Sequence, residues 1–188
     1  MKLWLIRHGL TRLGEEKRYQ GALDEGLSER GCAQLRRADF NPPRVCVSPL
    51  RRARETAAIL FPDSEQILVP DLREMNFGGF EGRAWWEMEQ DKAYRAWVDG
   101  GCTGRCPGGE DRASFSLRVC AAMEALLQGG EDLVIVAHGG TQMAALERWG
   151  RPARAYYQWQ TPCGCGFLLN YDRERGEMRV EQEVSFLR

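Results

Sequence analysis

The chain has 188 residues, with 26 Lys or Arg against 27 Asp or Glu, and this near-neutral balance gives no global electrostatic reason to bind nucleic acid or an anionic membrane. Any anion specificity has to be local. No run reaches the ~18 consecutive apolar residues of a membrane span, and Arg7 interrupts the apolar start too early for a signal peptide, so the expectation is a cytoplasmic protein whose seven cysteines are reduced thiols rather than a disulfide framework.

In chain order, the apolar run "KLWLI" at 2–6 reads as a strand and leads into Arg7, His8 and Gly9. "SERGCAQLRRA" at 28–38 has helical character, and "RVCVS" at 44–48 is a second strand. "SPLRRARETAAIL" at 48–60 carries a helix-start signal, in which Ser48 would cap the first free amides and Pro49 would take the first helical position. "QILV" at 66–69 is a third strand. Segment 72–108, rich in Gly and Trp, is expected to be an irregular insert over the sheet edge and the active site. A helix is expected over 109–127, then the strand "DLVIVA" at 132–137 running into His138 and Gly139, then a helix from Thr141 to Trp149. The end reads as two strands around a turn at Arg175 and Gly176. Strands alternating with helices predict an α/β fold of three layers, a mostly parallel sheet with helices on both faces, in a single domain over 1–188.

The chain has two histidines, and both stand at the carboxyl end of an apolar strand with a glycine behind them. Ligands of open parallel sheets bind beyond those strand ends. Either histidine alone reads equally well as an ordinary strand-end residue; together they point to a site. Arg7 beside His8 puts fixed positive charge next to a potential nucleophile, a combination suited to phosphoryl transfer, which is catalysed mostly by positioning and by neutralising oxygens. Neutral imidazole is a competent nucleophile near neutral pH and forms a covalent intermediate without a metal; no metal or other cofactor is expected.

Thiol chemistry is the competing reading. C-x5-R occurs as "CVSPLRR" from Cys46 and "CPGGEDR" from Cys106, but Pro49 offers no amide to a phosphate in the first, and the second would set Glu110 and Asp111 against it. Cys102, Cys106, Cys163 and Cys165 lack the usual C-x2-C spacing of a zinc site.

Four ordered blocks, "RHGLT" at 7–11, "SPLRRARETA" at 48–57, "LREMNFGGFEG" at 72–82 and "AHGG" at 137–140, resemble the histidine phosphatase (phosphoglycerate mutase-like) superfamily. The resemblance implies a metal-independent phosphomonoesterase acting on a small-molecule substrate. His8 would become phosphorylated, Arg7 and Arg52 (not the adjacent Arg51) would bind the phosphate, Glu74 would protonate the leaving group, and His138 would be a further histidine of the phosphate pocket. Gly9, Gln20, Gly21 and Gly139 complete the implied phosphate-binding set. Two departures stand out: Gly14 occupies a position where the family commonly has Asn, and Gly26 replaces a proline, predicting a looser loop. Family mutases usually carry an extra insert that this chain is too short to hold, which favours hydrolysis over transfer, and the presence of His8, Arg52, Glu74 and His138 argues against a binding module without turnover. The insert resembles that of bacterial α-ribazole phosphatases, which remove the 5′-phosphate from a benzimidazole riboside; a general phosphomonoesterase is the alternative. Phe77, Phe80, Trp85, Trp86 and Trp97 would then form a stacking wall for a flat base.

Overall fold

In the computed structural model, which describes residues 1–188, the apolar runs predicted as strands pair side by side, those at 2–6, 44–48 and 132–137 largely buried and that at 66–69 at the exposed edge. β1 (Lys2–Arg7), β2 (Arg44–Val47), β3 (Glu65–Leu68), β4 (Leu133–Ala137), β5 (Gly150–Arg151), β6 (Cys165–Asp172) and β7 (Glu177–Ser185) form one sheet in the order β3-β2-β4-β1-β6-β7-β5. β1, β4, β2 and β3 are mutually parallel. β6 is antiparallel to β1 and to β7, and β5 runs parallel to β7.

The period-two alternation of these strands divides the core in two. Leu3, Leu5, Cys46, Ile135 and Ala137 point into one layer, while Ile6, Val45, Val47, Val134 and Val136 point into the other. α3 (Arg51–Leu60) covers the second layer through Ala53, Ala57 and Leu60. α5 (Arg112–Leu127) and α6 (Gly139–Trp149) cover the first, through Phe115, Val119 and Met123 and through Met143, Ala144 and Leu146. The three-layer α/β arrangement is therefore present. Short α1 (Arg12–Glu15) and α2 (Glu29–Gln34) follow the first strand. The segment 72–108 is irregular apart from two 3-10 turns and α4 (Lys92–Asp99), which Asp91 caps.

Several boundaries differ from expectation. The helix predicted over 28–38 stops at Gln34 because Leu35 turns extended and bridges to Leu187. α5 starts at Arg112, with the Asp111 carboxylate accepting the Ser114 amide at 2.7 Å, rather than at Gly109. α3 starts at Arg51 behind an extended Leu50 with no side-chain cap, so Ser48 is not the helix cap; its hydroxyl is used elsewhere. Nor is the loop around Gly26 loose, since Leu27 donates to Glu55 at 2.7 Å and Ser28 to the Leu10 carbonyl at 3.0 Å.

The register of β1 on β4 decides the position of everything that follows. Arg7 stands opposite Ala137, and the His8 amide donates to the Ala137 carbonyl at 2.9 Å, so the first residues past both strands, His8 and His138, emerge side by side. On the other flank of β1, Gly166 packs so closely that a Cβ there would lie 2.2 Å from the Leu5 carbonyl oxygen and 2.8 Å from the Ile6 Cα. Those atoms are backbone and cannot swing aside. We expect Gly166→Ala to cost about 1–3 kcal/mol, the range for overpacking a filled interior, read as a lower denaturation midpoint in urea; an unchanged midpoint would show that the β1–β6 contact is not tight.

Candidate active site

His8 is buried at the end of β1. Its Nδ1 lies 2.7 Å from the carbonyl oxygen of Gly9, and since a carbonyl can only accept, the proton sits on Nδ1 and the lone pair on Nε2. Burial first, then the neighbouring Arg52 and Arg7, hold the His8 imidazole well below its ordinary value. It is therefore neutral at physiological pH. The His138 ring lies 5.2 Å from it, inclined at 63°, and is lowered in the same way by burial, Arg52, His8 and Arg7.

Ser48, fully buried, places Oγ 2.7 Å from His138 Nε2. The same Oγ accepts the Leu50 amide at 3.4 Å, and in the tautomer in which it donates to Nε2 the His138 proton sits on Nδ1. That nitrogen is buried and has no partner. The hydroxyl that reads locally as a helix cap is spent across 90 residues of chain.

The two arginines are held by carbonyls rather than carboxylates. Arg7 Nη1 donates to the Thr161 carbonyl at 2.5 Å. Arg52, 0% exposed on α3, donates Nη1 to Leu23 at 2.7 Å and Nη2 to Gly21 at 2.8 Å. In both, Nε is buried without a partner. Arg51 is different in kind: it lies exposed beside Glu55 at 2.6 Å. Glu74 enters from the opposite side, where its Oε1 accepts the Met75 amide at 2.9 Å and its Oε2 the Gly140 amide at 3.2 Å. Gly139 and Gly140 make this approach possible, since a Cβ at Gly140 would meet Glu74 Oε1 at 2.1 Å and one at Gly139 the Arg7 Cζ at 3.3 Å.

These groups border a cleft of about 430 Å³ lined by Arg7, His8, Arg52, Glu74 and Gly139, with Gln20 and Gly21 at one side. Gly9 is not part of it: its amide is given to Thr56 Oγ1 at 2.9 Å, and a side chain there would point at Leu35 and Leu27. Gly14 does line the cleft, and beside it the Gln20 amide donates to Thr11. A side chain at 14 would meet Thr11 Oγ1 at 3.2 Å and Gln20 Nε2 at 3.3 Å, so a carboxamide already occupies the space next to this glycine.

The aromatic wall needs correcting. Of the five rings expected, Phe77 and Trp97 line the cleft. Phe80 is 1% exposed in the core, and Trp85 and Trp86, 51% and 46% exposed, pack edge to face against each other at the surface. Tyr19, Tyr156 and Tyr157 line the cleft instead. Tyr19 stands between Phe77 and Trp97 with centroids at 5.3 and 5.9 Å, and Arg112 lies over Tyr156 at 5.0 Å. Nothing local marks these tyrosines: two of them, Tyr156 and Tyr157, lie beyond the insert's end at residue 108 and on the far side of α6.

Neither C-x5-R stretch builds a thiolate site. Cys46 is buried within β2 and raised by desolvation. Cys106 is also buried, and desolvation pushes it up to about 11; a reactive cysteine needs the opposite shift. The thiols also do not join other His, Cys, Asp or Glu side chains in any group of three or more.

Comparison with known proteins agrees with this geometry. The sequence profile of the histidine phosphatase superfamily (branch 1) matches residues 3–183. The adenosylcobalamin/alpha-ribazole phosphatase of Escherichia coli strain K12 is 30% identical over 194 residues, covering 96% of this chain and 95% of the relative. The crystal structure of the alpha-ribazole phosphatase from Shigella flexneri superposes with a TM-score of 0.84 at 28% identity, covering 96% and 95% of the two chains. A phosphoserine phosphatase 2 assigned in Hydrogenobacter thermophilus is 34% identical over a shorter span, 74% of each chain. With its profile matched over almost the whole length, with Arg7, His8, Arg52 and Glu74 lining one cleft and with His138 buried behind them against His8, the chain belongs to the histidine phosphatase superfamily, branch 1.

Proposed function

We propose that this enzyme hydrolyses a phosphomonoester through a phosphohistidine at His8, and that its substrate is α-ribazole 5′-phosphate. The observation that carries the first half is that three of the four buried side-chain nitrogens lacking a partner stand around His8: Arg7 Nε from β1, Arg52 Nε from α3 and His138 Nδ1 from the start of α6, the fourth being Trp159 Nε1 in the core. Buried polar groups are almost always paired, and three donors from three separate elements beside one neutral imidazole are matched by a phosphate dianion.

In the first step the His8 Nε2 lone pair attacks phosphorus and the ester P–O bond breaks. Arg7, Arg52 and the His138 Nδ1–H take up the charge on the equatorial oxygens, and Glu74 gives its proton to the departing oxygen. In the second, water attacks the phosphorus of phospho-His8, Glu74 takes the water's proton, and the N–P bond breaks to release inorganic phosphate. Gln20 and Gly21 serve this site by shaping it, Gly21 through its carbonyl on Arg52, and Gly139 by admitting Arg7; Gly9 orients the His8 ring through its carbonyl rather than binding phosphate.

The second half rests on the rest of the cleft and on the relatives. Tyr19, Phe77 and Trp97 form one continuous edge-packed cluster, with Tyr156, Tyr157 and Met143 also lining the space. Flat apolar surfaces of this kind match a planar aromatic base, and relatives matching nearly the full length carry the α-ribazole phosphatase name.

Acid quench during turnover of labelled substrate is expected to trap an acid-labile, base-stable phosphate on the peptide containing His8, and His8→Ala is expected to lose at least ~10³-fold in activity. Label on a cysteine would refute the mechanism. Arg52→Ala is expected to lose about 3–4 kcal/mol of transition-state stabilisation, as for removal of an oxyanion donor, whereas Arg51→Ala changes kcat/KM less than about twofold, as expected of an exposed pair; equal losses would overturn the assignment. Substrate is decided by kcat/KM for α-ribazole 5′-phosphate against 3-phosphoglycerate, phosphoserine, a sugar phosphate and p-nitrophenyl phosphate. A clear preference for α-ribazole 5′-phosphate is expected; without it the substrate reading fails while the phosphohistidine reading stands.

A further inference from the structure

The "GEDRASFSLR" stretch at 109–118 lends Arg112 to the cleft lining, and it also grips the loop that carries Glu74. Arg118 on α5 and Glu110 just before it form a bidentate pair, Nε to Oε1 at 3.0 Å and Nη2 to Oε2 at 2.8 Å. The remaining nitrogen of the guanidinium, Nη1, donates to the carbonyls of Asp71 at 2.8 Å and Arg73 at 3.1 Å. On the far side of Glu74, the Asn76 amide donates to Glu110 Oε2 at 2.9 Å, and the Glu110 amide returns a bond to the Asn76 carbonyl at 2.8 Å. Backbone groups at 71, 73 and 76 are thus fastened to one ion pair, and the residue between them is Glu74. The Arg118 guanidinium also lies 5.3 Å over the Phe115 ring, whose edge abuts Gly140, the residue whose amide meets the Glu74 carboxylate.

The pair is only partly covered, with side chains 17% and 23% exposed. Burial alone would raise the Glu110 carboxyl, but the bonds from Arg118 and Asn76 outweigh it and hold it below its ordinary value, so it stays an anion across the working range. A lone exposed pair contributes little to stability. This one joins five backbone and side-chain partners around one short loop, and its geometric specificity is the feature to explain.

From this arrangement we infer that Arg118 and Glu110 are positioning residues, a clamp that holds the Glu74 carboxyl against the leaving-group oxygen; the inference rests on Glu74 being the proton donor proposed above. Displacing a donor by about 1 Å can cost ~10²-fold in rate. The loss should appear only where a proton is needed. An alkoxide is a poor leaving group and requires it, whereas p-nitrophenolate departs as a stable anion without it.

The test compares kcat/KM, which reports the step that breaks the ester, for propyl phosphate and p-nitrophenyl phosphate. Glu74→Gln is the reference, and Arg118→Met, Arg118→Lys and Glu110→Gln are the test variants, each with its thermal midpoint recorded. Arg118→Met is expected to lose about 10- to 100-fold on propyl phosphate and less than about threefold on p-nitrophenyl phosphate. Arg118→Lys and Glu110→Gln, which keep part of the clamp, are expected to shift the ratio in the same direction by less, and they carry the test if Arg118→Met does not fold. Combining Arg118→Met or Arg118→Lys with Glu74→Gln is expected to add nothing to the propyl phosphate loss of Glu74→Gln alone. Equal losses on both substrates, or a lower midpoint with an unchanged ratio, would overturn the clamp. Were Glu74→Gln itself to affect both substrates equally, the proton-donor reading would fall and take the clamp with it; a steep dependence for Glu74→Gln with a flat one for all clamp variants would remove the clamp alone.

Discussion

Arg52 is a buried guanidinium whose nearby carboxylates, Glu74, Asp24, Glu25 and Glu81, act on it without direct ion-pair contact, and the construction of the site follows from how the protein tolerates that. A buried charge is costly unless hydrogen-bonded and offset. Here the hydrogen bonds come from the carbonyls of Gly21 and Leu23, and full charge compensation is left to whatever anion enters. The same positive field, added to burial, keeps His8 and His138 neutral, which is the state a nucleophilic imidazole needs. One charge placement thus leaves a demand for an anion and a neutral imidazole side by side.

That field acts only because the chain brings distant residues to one point. Arg7 and His8 leave β1, His138 leaves β4, and their meeting depends on these strands being neighbours with Arg7 opposite Ala137. Small residues do the rest at the closest approaches. Gly139 and Gly140 open the helix start to Arg7 and Glu74, and the Gly140 amide both begins α6 and meets the Glu74 carboxylate. The start of α6, the seat of Arg7 and the placement of the Glu74 carboxylate are one structure rather than three.

What the sequence made legible was local. The apolar runs, the His-Gly steps at strand ends and the ordered family blocks all lie within a few residues of the feature they announce, and the layers and the gathering of Arg7, His8, Arg52, Glu74 and His138 follow from them. Misreadings occurred where a group's partner is remote. Ser48 has every local mark of a helix cap, but its hydroxyl meets His138. Gly9 follows the catalytic strand, yet its amide belongs to Thr56. Phe80, Trp85 and Trp86 share a segment with Phe77 and Trp97, but an irregular segment has no period from which to read its facing, and the chain sends one ring into the core and two to the surface. Tyr156 and Tyr157 reach the cleft from beyond α6, where only tertiary folding can bring them.

The two halves of the cleft are built with different stringency, and this bears on how substrates are divided within the superfamily. The phosphate half consists of buried groups locked by backbone carbonyls, strand register and glycines without spare volume; almost any substitution there creates an unpaired charge or a clash. The other half is made of rings on loops, a 3-10 turn and, for Trp97, the short α4, several of them part-exposed, where residues can change without disturbing the charges. Relatives at similar identity, 30% for one named an alpha-ribazole phosphatase and 34% for one named a phosphoserine phosphatase, carry different substrate names. The side chains around Tyr19, Phe77, Trp97 and Tyr156 are too few in a chain of 188 residues to move such a percentage, so overall identity does not decide between the two names. The substrate of a member is therefore written in the lining of its cleft beyond the phosphate, and in this protein that lining is aromatic.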